Sequence, residues 1–394
     1  MFSTTTRSPG LVRAAGSQAW LPIRNGAVSR CFSTTPAQRA PHIITFQESS
    51  TPELAELLDK YRQMIILPTY LSPEQRRKIY KPKIRKYLEH DPVLMEIDGV
   101  EHKFRYRSQV ADLPSTKHTF GQVLHLTETP ADFQNIPPLL EGFVRAGRKL
   151  DGSYYHRLIR KAAKHGHMQM ILDFIQAAKR YGLKLNRSER INEVLVYLQW
   201  PAILSGWEVE ATEKALRQVK LVINILETDL AHEPKNPIDE GAYPYFRDPQ
   251  VLAARLHMEA ARAVHLRGGK DEHGQVAKYA QQLVTLWPEG YGLLDLQPLE
   301  AYQGKSANMR YLLDRNAFLF YASPVLNGLG LAAQVVDPGL AMQLQNRADK
   351  VEGEIRIALA DEKRNKEGRG ARMYDSIFNP QPPRAEEEAS AGEE

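Results

Sequence analysis

The sequence has no aspartate or glutamate before Glu48 and a single cysteine, Cys31. The acid-free start carries Arg7, Arg13, Arg24, Arg30 and Arg39 among Ser, Thr, Ala and Gly, the composition of a mitochondrial transit peptide. A secretory signal needs an unbroken apolar core of roughly seven to fifteen residues, and Leu11-Val12 and Ala19 to Ile23 are too short to supply one. We therefore expect a transit peptide over residues 1–32 and delivery to the mitochondrial matrix. Cys31 leaves with that segment. Without it, disulfides, thiolate nucleophiles and Cys-ligated zinc or iron–sulfur sites are excluded. Long uncharged runs are also scarce: only Asn316 to Val336 has membrane-relevant length. Pro324, Asn327, Gly328, Gly330 and Gln334 interrupt it, so a buried helical hairpin is expected there rather than a spanning helix. Peripheral contact with the inner membrane stays open.

Charge is local. Removing the four arginines of residues 1–32 takes the formal +5 to +1, and setting aside Glu386, Glu387, Glu388, Glu393 and Glu394 of a Pro/Ala/Gly-rich tail returns the rest to +6. From Pro52 to His90 the spacing is helical, with Leu54, Leu57, Leu58 and Tyr61 on one stripe and a Ser72-Pro73-Glu74 start to a second helix. That second helix is expected to be strongly basic, carrying Arg76, Arg77, Lys78, Lys81, Lys83, Arg85 and Lys86 between Tyr80 and Tyr87. Alternation up to Asp98-Gly99 and away from it predicts a β-hairpin with a two-residue turn, its second strand holding Lys103, Arg105 and Arg107 on the face opposite Phe104.

After about Ser115 the pattern is helical, and Arg145-Ala-Gly147-Arg-Lys149-Leu150-Asp151 recurs as Arg180-Tyr-Gly182-Leu-Lys184-Leu185-Asn186 at an offset of 35 residues. A two-helix unit of that length signals stacked helical hairpins. Tyr155, Leu158, Ile159 and Ala162 form the apolar stripe of one helix, Gly166 breaks it, Ile171, Leu172, Phe174 and Ile175 begin the next, and Gly182 closes it. Residues 153–187 thus resemble a pentatricopeptide repeat, with 118–152 as a weaker preceding copy. Further hairpins are expected at 188–230, around a Trp200-Pro201 break, and at 249–287.

The expected class is all-α in the main: a pentatricopeptide-like solenoid of helical hairpins with a small N-terminal β-hairpin. Its segments are a transit peptide (1–32), a basic extension with helices and the hairpin (33–110), repeats (111–235), a helical hairpin (236–300), a C-terminal helical region (301–378) and an acidic tail (379–394). Residues 30–35, Arg-Cys-Phe-Ser-Thr-Thr, resemble a processing signal common in fungal mitochondrial precursors, which puts the mature start near Ser33.

Arg157, Lys161 and Lys164 follow i, i+4, i+7 spacing and share a helix face, with Arg160 beside it; residues 141–190 hold twelve Lys or Arg against four acids. In the resembled family such first helices line a concave surface, whose complement here would be a phosphate backbone. The places with which that family reads bases hold Arg157 and Arg187, which suit phosphates better. Enzyme motifs fail. Gly304-Lys305-Ser306 imitates the end of a phosphate loop, but residue 299 is Leu where Gly is needed, and Gly328-Leu-Gly330-Leu-Ala-Ala333 lacks flanking strands. The pairs His165/His167 and His257/His265 have no third ligand. No catalytic residue, cofactor, metal or small-molecule substrate is expected. Degenerate repeats, separate basic elements and long extensions make the chain similar to mitochondrion-specific subunits of mitoribosomes. That resemblance implies a non-catalytic scaffold contacting rRNA and neighbouring mitoribosomal proteins. The alternatives are a free pentatricopeptide-type processing or translational-activator factor on messenger RNA, and an assembly factor for the mitoribosome or a respiratory complex.

Overall fold

Thr51 and Ser72 each accept a hydrogen bond from the backbone N–H three residues on, and each is followed by proline at the first helical position, so the first two helices start where the sequence places caps. The computed structural model describes residues 43–97, 99–109, 111–234, 243–304 and 307–380. These fall in one unit, Ile43–Glu394. The expected transit peptide, the acidic tail beyond Pro380 and Lys305-Ser306 lie outside the described residues.

Helix α1 (Pro52–Tyr61) continues through a π turn (Arg62–Ile66) and a 3-10 turn (Leu67–Tyr70) into α2 (Pro73–Ile79). The continuous basic helix expected over 76–86 is broken. Pro82 has no N–H for a helical bond and holds Lys81 extended (φ −92°, ψ 112°), so α2 stops, a 3-10 turn covers Pro82–Ile84, and α3 is Arg85–His90. The hairpin forms as expected: β1 (Val93–Ile97) pairs antiparallel with β2 (Val100–Phe104), Ile97 opposite Val100, and Gly99 supplies φ +76°. Phe104 points inward onto Leu67, Leu71 and Ile79, which locks the hairpin to α2.

The repeat region consists of α4 (Thr116–Leu126), α5 (Pro130–Phe133), α6 (Ile136–Arg145), α7 (Gly152–Lys164), α8 (Met168–Gln176) and α9 (Ala178–Tyr181). The 35-residue signal has a backbone cause: Gly147 and Gly182 both take left-handed φ, +68° and +79°, after the closing helix of each unit. A Cβ at Gly182 would also stand 2.7 Å from the Tyr155 hydroxyl. Both apolar stripes expected in 153–187 are buried.

Next come α10 (Ser188–Leu204) and α11 (Val209–Thr228). Pro201 does not break α10 as expected: it sits in the last turn, where a single backbone bond is lost, and the reversal occurs five residues later at Gly206 (φ +65°), followed by Trp207 (φ +69°). The strained Trp207 is held by stacking on His265, centroids 5.2 Å apart and 9° between planes. Then follow α12 (Pro249–Ala261), α13 (Gln275–Leu286), α14 (Leu299–Gln303), α15 (Arg315–Ala333), α16 (Pro338–Ala360) and α17 (Arg369–Phe378). The hairpin expected within 316–336 is instead the single helix α15. It packs on α12, α16 and α17, whose contacts bury nearly its whole circumference despite Pro324. No described helix is long and apolar enough to cross a membrane.

Two hydrophobic cores meet at α10. Ile191, Val194, Leu195 and Leu198 belong to the core of the repeat region, while Val196 and Ile203 belong to the core around Phe318, Phe320 and Trp287. A helix buried on both sides loses its amphipathic stripe, and so α10 reads in sequence as apolar without a face.

Candidate nucleic-acid interface

The residues of 76–86 form a basic surface on two short helices and the turn between them. Arg77, Lys78, Lys81, Lys83, Arg85 and Lys86 are exposed and Arg76 is half-buried. Among the described residues only Arg85 of these is paired, with Glu89 at 3.2 Å, and that pair is solvent-exposed, where such bonds contribute about 0–1 kcal/mol and leave the charge free to re-pair. Lys103 and Arg105 project from the hairpin, Lys103 lying 3.9 Å from the exposed Glu101. Because α2 and the hairpin share a core, these charges belong to one packed element.

The α7 stripe divides in two. Arg157 and Lys164 are exposed, Arg157 standing 5.8 Å over the Tyr154 ring. Lys161 is tied to Glu128 at 2.6 Å. Arg160 turns the other way: its Nε donates at 2.5 Å to Glu193, a carboxylate with no exposed surface. Glu193 also accepts from Arg369 at 2.6 Å and pairs with His156 Nδ1. Burial by itself would raise the Glu193 carboxyl, but the His156 hydrogen bond and the charges of His156, Arg160 and Arg369 together hold it below the ordinary carboxylate range. Arg160 thus has a packing partner that its sequence position does not disclose. Arg187 is exposed as the residue preceding α10, apart from the α2 surface in sequence.

Two concavities adjoin these charges. One, of about 900 Å³, runs between α7, α8, α10, α11 and α17; Lys164, Lys214 and Arg372 rim it, and Tyr197 and Trp200, stacked at 5.7 Å and 16°, line its wall. The other, of about 1000 Å³, lies between α2 and the segment after α6, and Arg76, Arg77, Tyr80 and Arg148 line it. Arg148 was not among the residues singled out by spacing. It enters because the left-handed turn at Gly147 carries the chain back past α2; the glycine marks the turn in sequence, but nothing local tells that α2 lies beside it. Burial raises the Tyr80 hydroxyl, against the opposing charges of Arg76, Arg107 and Arg148, so it stays protonated and able to donate.

The histidine pairs are packing groups. His257 is fully buried, with Nδ1 2.7 Å from Gln199 Oε1 and Nε2 3.0 Å from Asn327 Nδ2, and burial, followed by the charge of His265, pushes it down to about 3. His165 and His167 lie against the Phe133 ring at 5.3 and 4.2 Å. Among the described residues no group of His, Cys, Asp and Glu could hold a metal ion. Gly328 lies where α15 crosses α12: a Cβ there would be 2.9 Å from His257 Cα, so this glycine serves helix packing.

Residues 30–376 match the protein family described as mitochondrial ribosomal protein mS27. The chain is also 40% identical over 351 residues, 84% of its own length and 88% of the relative's, to the small ribosomal subunit protein mS27 of Neurospora crassa.

Proposed function

This chain belongs to the mitochondrial ribosomal protein mS27 family, and on that premise we propose that it is a non-catalytic scaffold of the small mitoribosomal subunit in the matrix, contacting rRNA through its N-terminal basic element and α7. That it is a structural component of the mitoribosome, and therefore mitochondrial, follows from family membership. The same membership disfavours a free processing factor or an assembly factor.

The observation that carries the RNA reading is the state of the charges. Arg77, Lys78, Lys81, Lys83 and Lys86 on the α2–α3 surface, and Arg157 and Lys164 on α7, are exposed with no ion-pair partner among the described residues. Arginines and lysines in that condition suit phosphate oxygens, and each neutralised phosphate releases counterions. Neighbouring ribosomal proteins would then meet the uncharged surface, including the exposed Leu204 and Val209 at the α10–α11 reversal.

Affinity purification from mitochondria with and without nuclease, combined with ultraviolet cross-linking, tests the reading. Charge reversal at Lys78, Lys83, Arg157 and Lys164 should lower the rRNA cross-linked to a chain that still melts at the wild-type temperature. Unchanged cross-linking would overturn it.

A further inference from the structure

We propose that the cleft between α2 and the segment following α6 holds one unpaired nucleotide of RNA, its phosphate among Arg76, Arg77 and Arg148 and its base against Tyr80. This rests on the rRNA reading above and adds to it a pocket with a defined occupant.

The cleft is of about 1000 Å³, within the size range of small-molecule sites and ample for one nucleotide. Its chemistry is one-signed: three guanidinium groups line it and no carboxylate does among the described residues. None of the three makes an ion pair or side-chain hydrogen bond among the described residues, whereas Arg160, Arg180 and Arg262 all have carboxylate partners. Arg107 adds its charge near Tyr80, but it is anchored, donating to the Gln63 carbonyl at 2.7 Å and facing Asp112, so it shapes the field rather than binding. The Tyr80 hydroxyl makes no hydrogen bond among the described residues and, being protonated, can donate to a phosphate oxygen.

The remaining wall is mixed, with Thr69 and Gln109 beside an apolar part formed by Ile65, Leu71 and Leu113. An inorganic anion would leave that wall in water. A nucleotide covers both parts, placing its base against the Tyr80 ring and the aliphatic wall and its phosphate on the arginines. The arginines come from two elements about seventy residues apart in sequence, α2 and the turn after Gly147, so the pocket exists only in the folded chain. A nucleotide in a paired helix cannot enter such a recess, which points to a loop, bulge or single strand.

The test uses small subunits purified intact from mitochondria, cross-linked with ultraviolet light and mapped by peptide mass spectrometry, together with binding of the full chain to a fluorescent oligouridine. A nucleotide adduct is expected on the peptide containing Tyr80 or the one containing Arg148. Tyr80→Ala and Arg148→Ala should each weaken oligouridine binding about tenfold, Tyr80→Phe less, and Arg148→Lys should recover part of the loss. Uridine monophosphate at equal concentration should not displace the oligomer. Adducts confined to the peptides of Lys83, Arg157 or Lys164 would overturn the pocket and leave the rRNA reading standing; no adduct anywhere on the chain would overturn both. Displacement by the free mononucleotide would make the occupant a free nucleotide rather than a nucleotide of RNA and so overturn the proposal, as would a protein cross-link from an acidic segment into the cleft.

Discussion

Arg369 meets Glu193 at 2.6 Å across 176 residues of sequence, joining the C-terminal helix α17 to the helix that both cores share. Its guanidinium also lies 4.7 Å over the Phe320 ring, so one side chain ties α17 to α10 and α15. Glu193 keeps Arg160 and His156 when Arg369 is removed, so Arg369→Ala should destabilise the chain by about 1–2 kcal/mol, whereas Glu193→Leu, which leaves Arg369, Arg160 and His156 all without their shared carboxylate, should cost about 3 kcal/mol or more. Urea unfolding of the two variants beside wild type measures both.

The same cluster separates Arg160 from its neighbours on α7. Arg160→Ala should lower the melting temperature by weakening the Glu193 site, and Arg157→Ala should leave melting unchanged while reducing RNA cross-linking. A melting scan beside a cross-linking assay checks the two outcomes together.

His257 makes stability depend on acid. Its folded pKa is depressed to about 3 by burial, against an ordinary value of 6.5, so the unfolded chain binds an extra proton between those limits. The stability it contributes is complete above about pH 6.5 and declines as pH falls, by about 1.4 kcal/mol per pH unit. Asp248, raised to about 6 by burial, works in the opposite sense between about 3.8 and 6 and cancels when wild type is compared with a variant. From pH 7 to 5, wild type should lose about 2 kcal/mol more than His257→Gln, read from urea midpoints.

Two glycines of α15 should respond with opposite sign. At Gly328 a Cβ would stand 2.7 Å from His257 Cβ and 2.9 Å from its Cα, so Gly328→Ala forces α12 and α15 apart at about 1–3 kcal/mol. At Gly330 nothing lies within 4 Å, and Gly330→Ala should stabilise by about 0.5–1 kcal/mol through helix propensity. Thermal melts of the two single variants decide it.

The helices with one buried face were legible in sequence. Leu158, Ile159 and Ala162 repeat at helical spacing, and the left-handed glycines at 147, 166 and 182 mark the turns. The elements that misled are those whose surroundings override local rules. Pro82 breaks a helix by holding Lys81 extended, while Pro201 and Pro324 lie inside helices because buried neighbours fix the backbone around them. Charge was legible as composition but not as availability. Nothing in the spacing of Arg157, Arg160, Lys161 and Lys164 tells that Arg160 faces a buried carboxylate 33 residues on, or that Arg148 joins Arg76 across a cleft.

Sedimentation of mitochondrial lysate carrying a tagged copy tests the central claim most directly. The chain should travel with the small ribosomal subunit and its rRNA, in both free subunits and assembled monosomes. A chain found only in light fractions, apart from both subunits, would contradict the account.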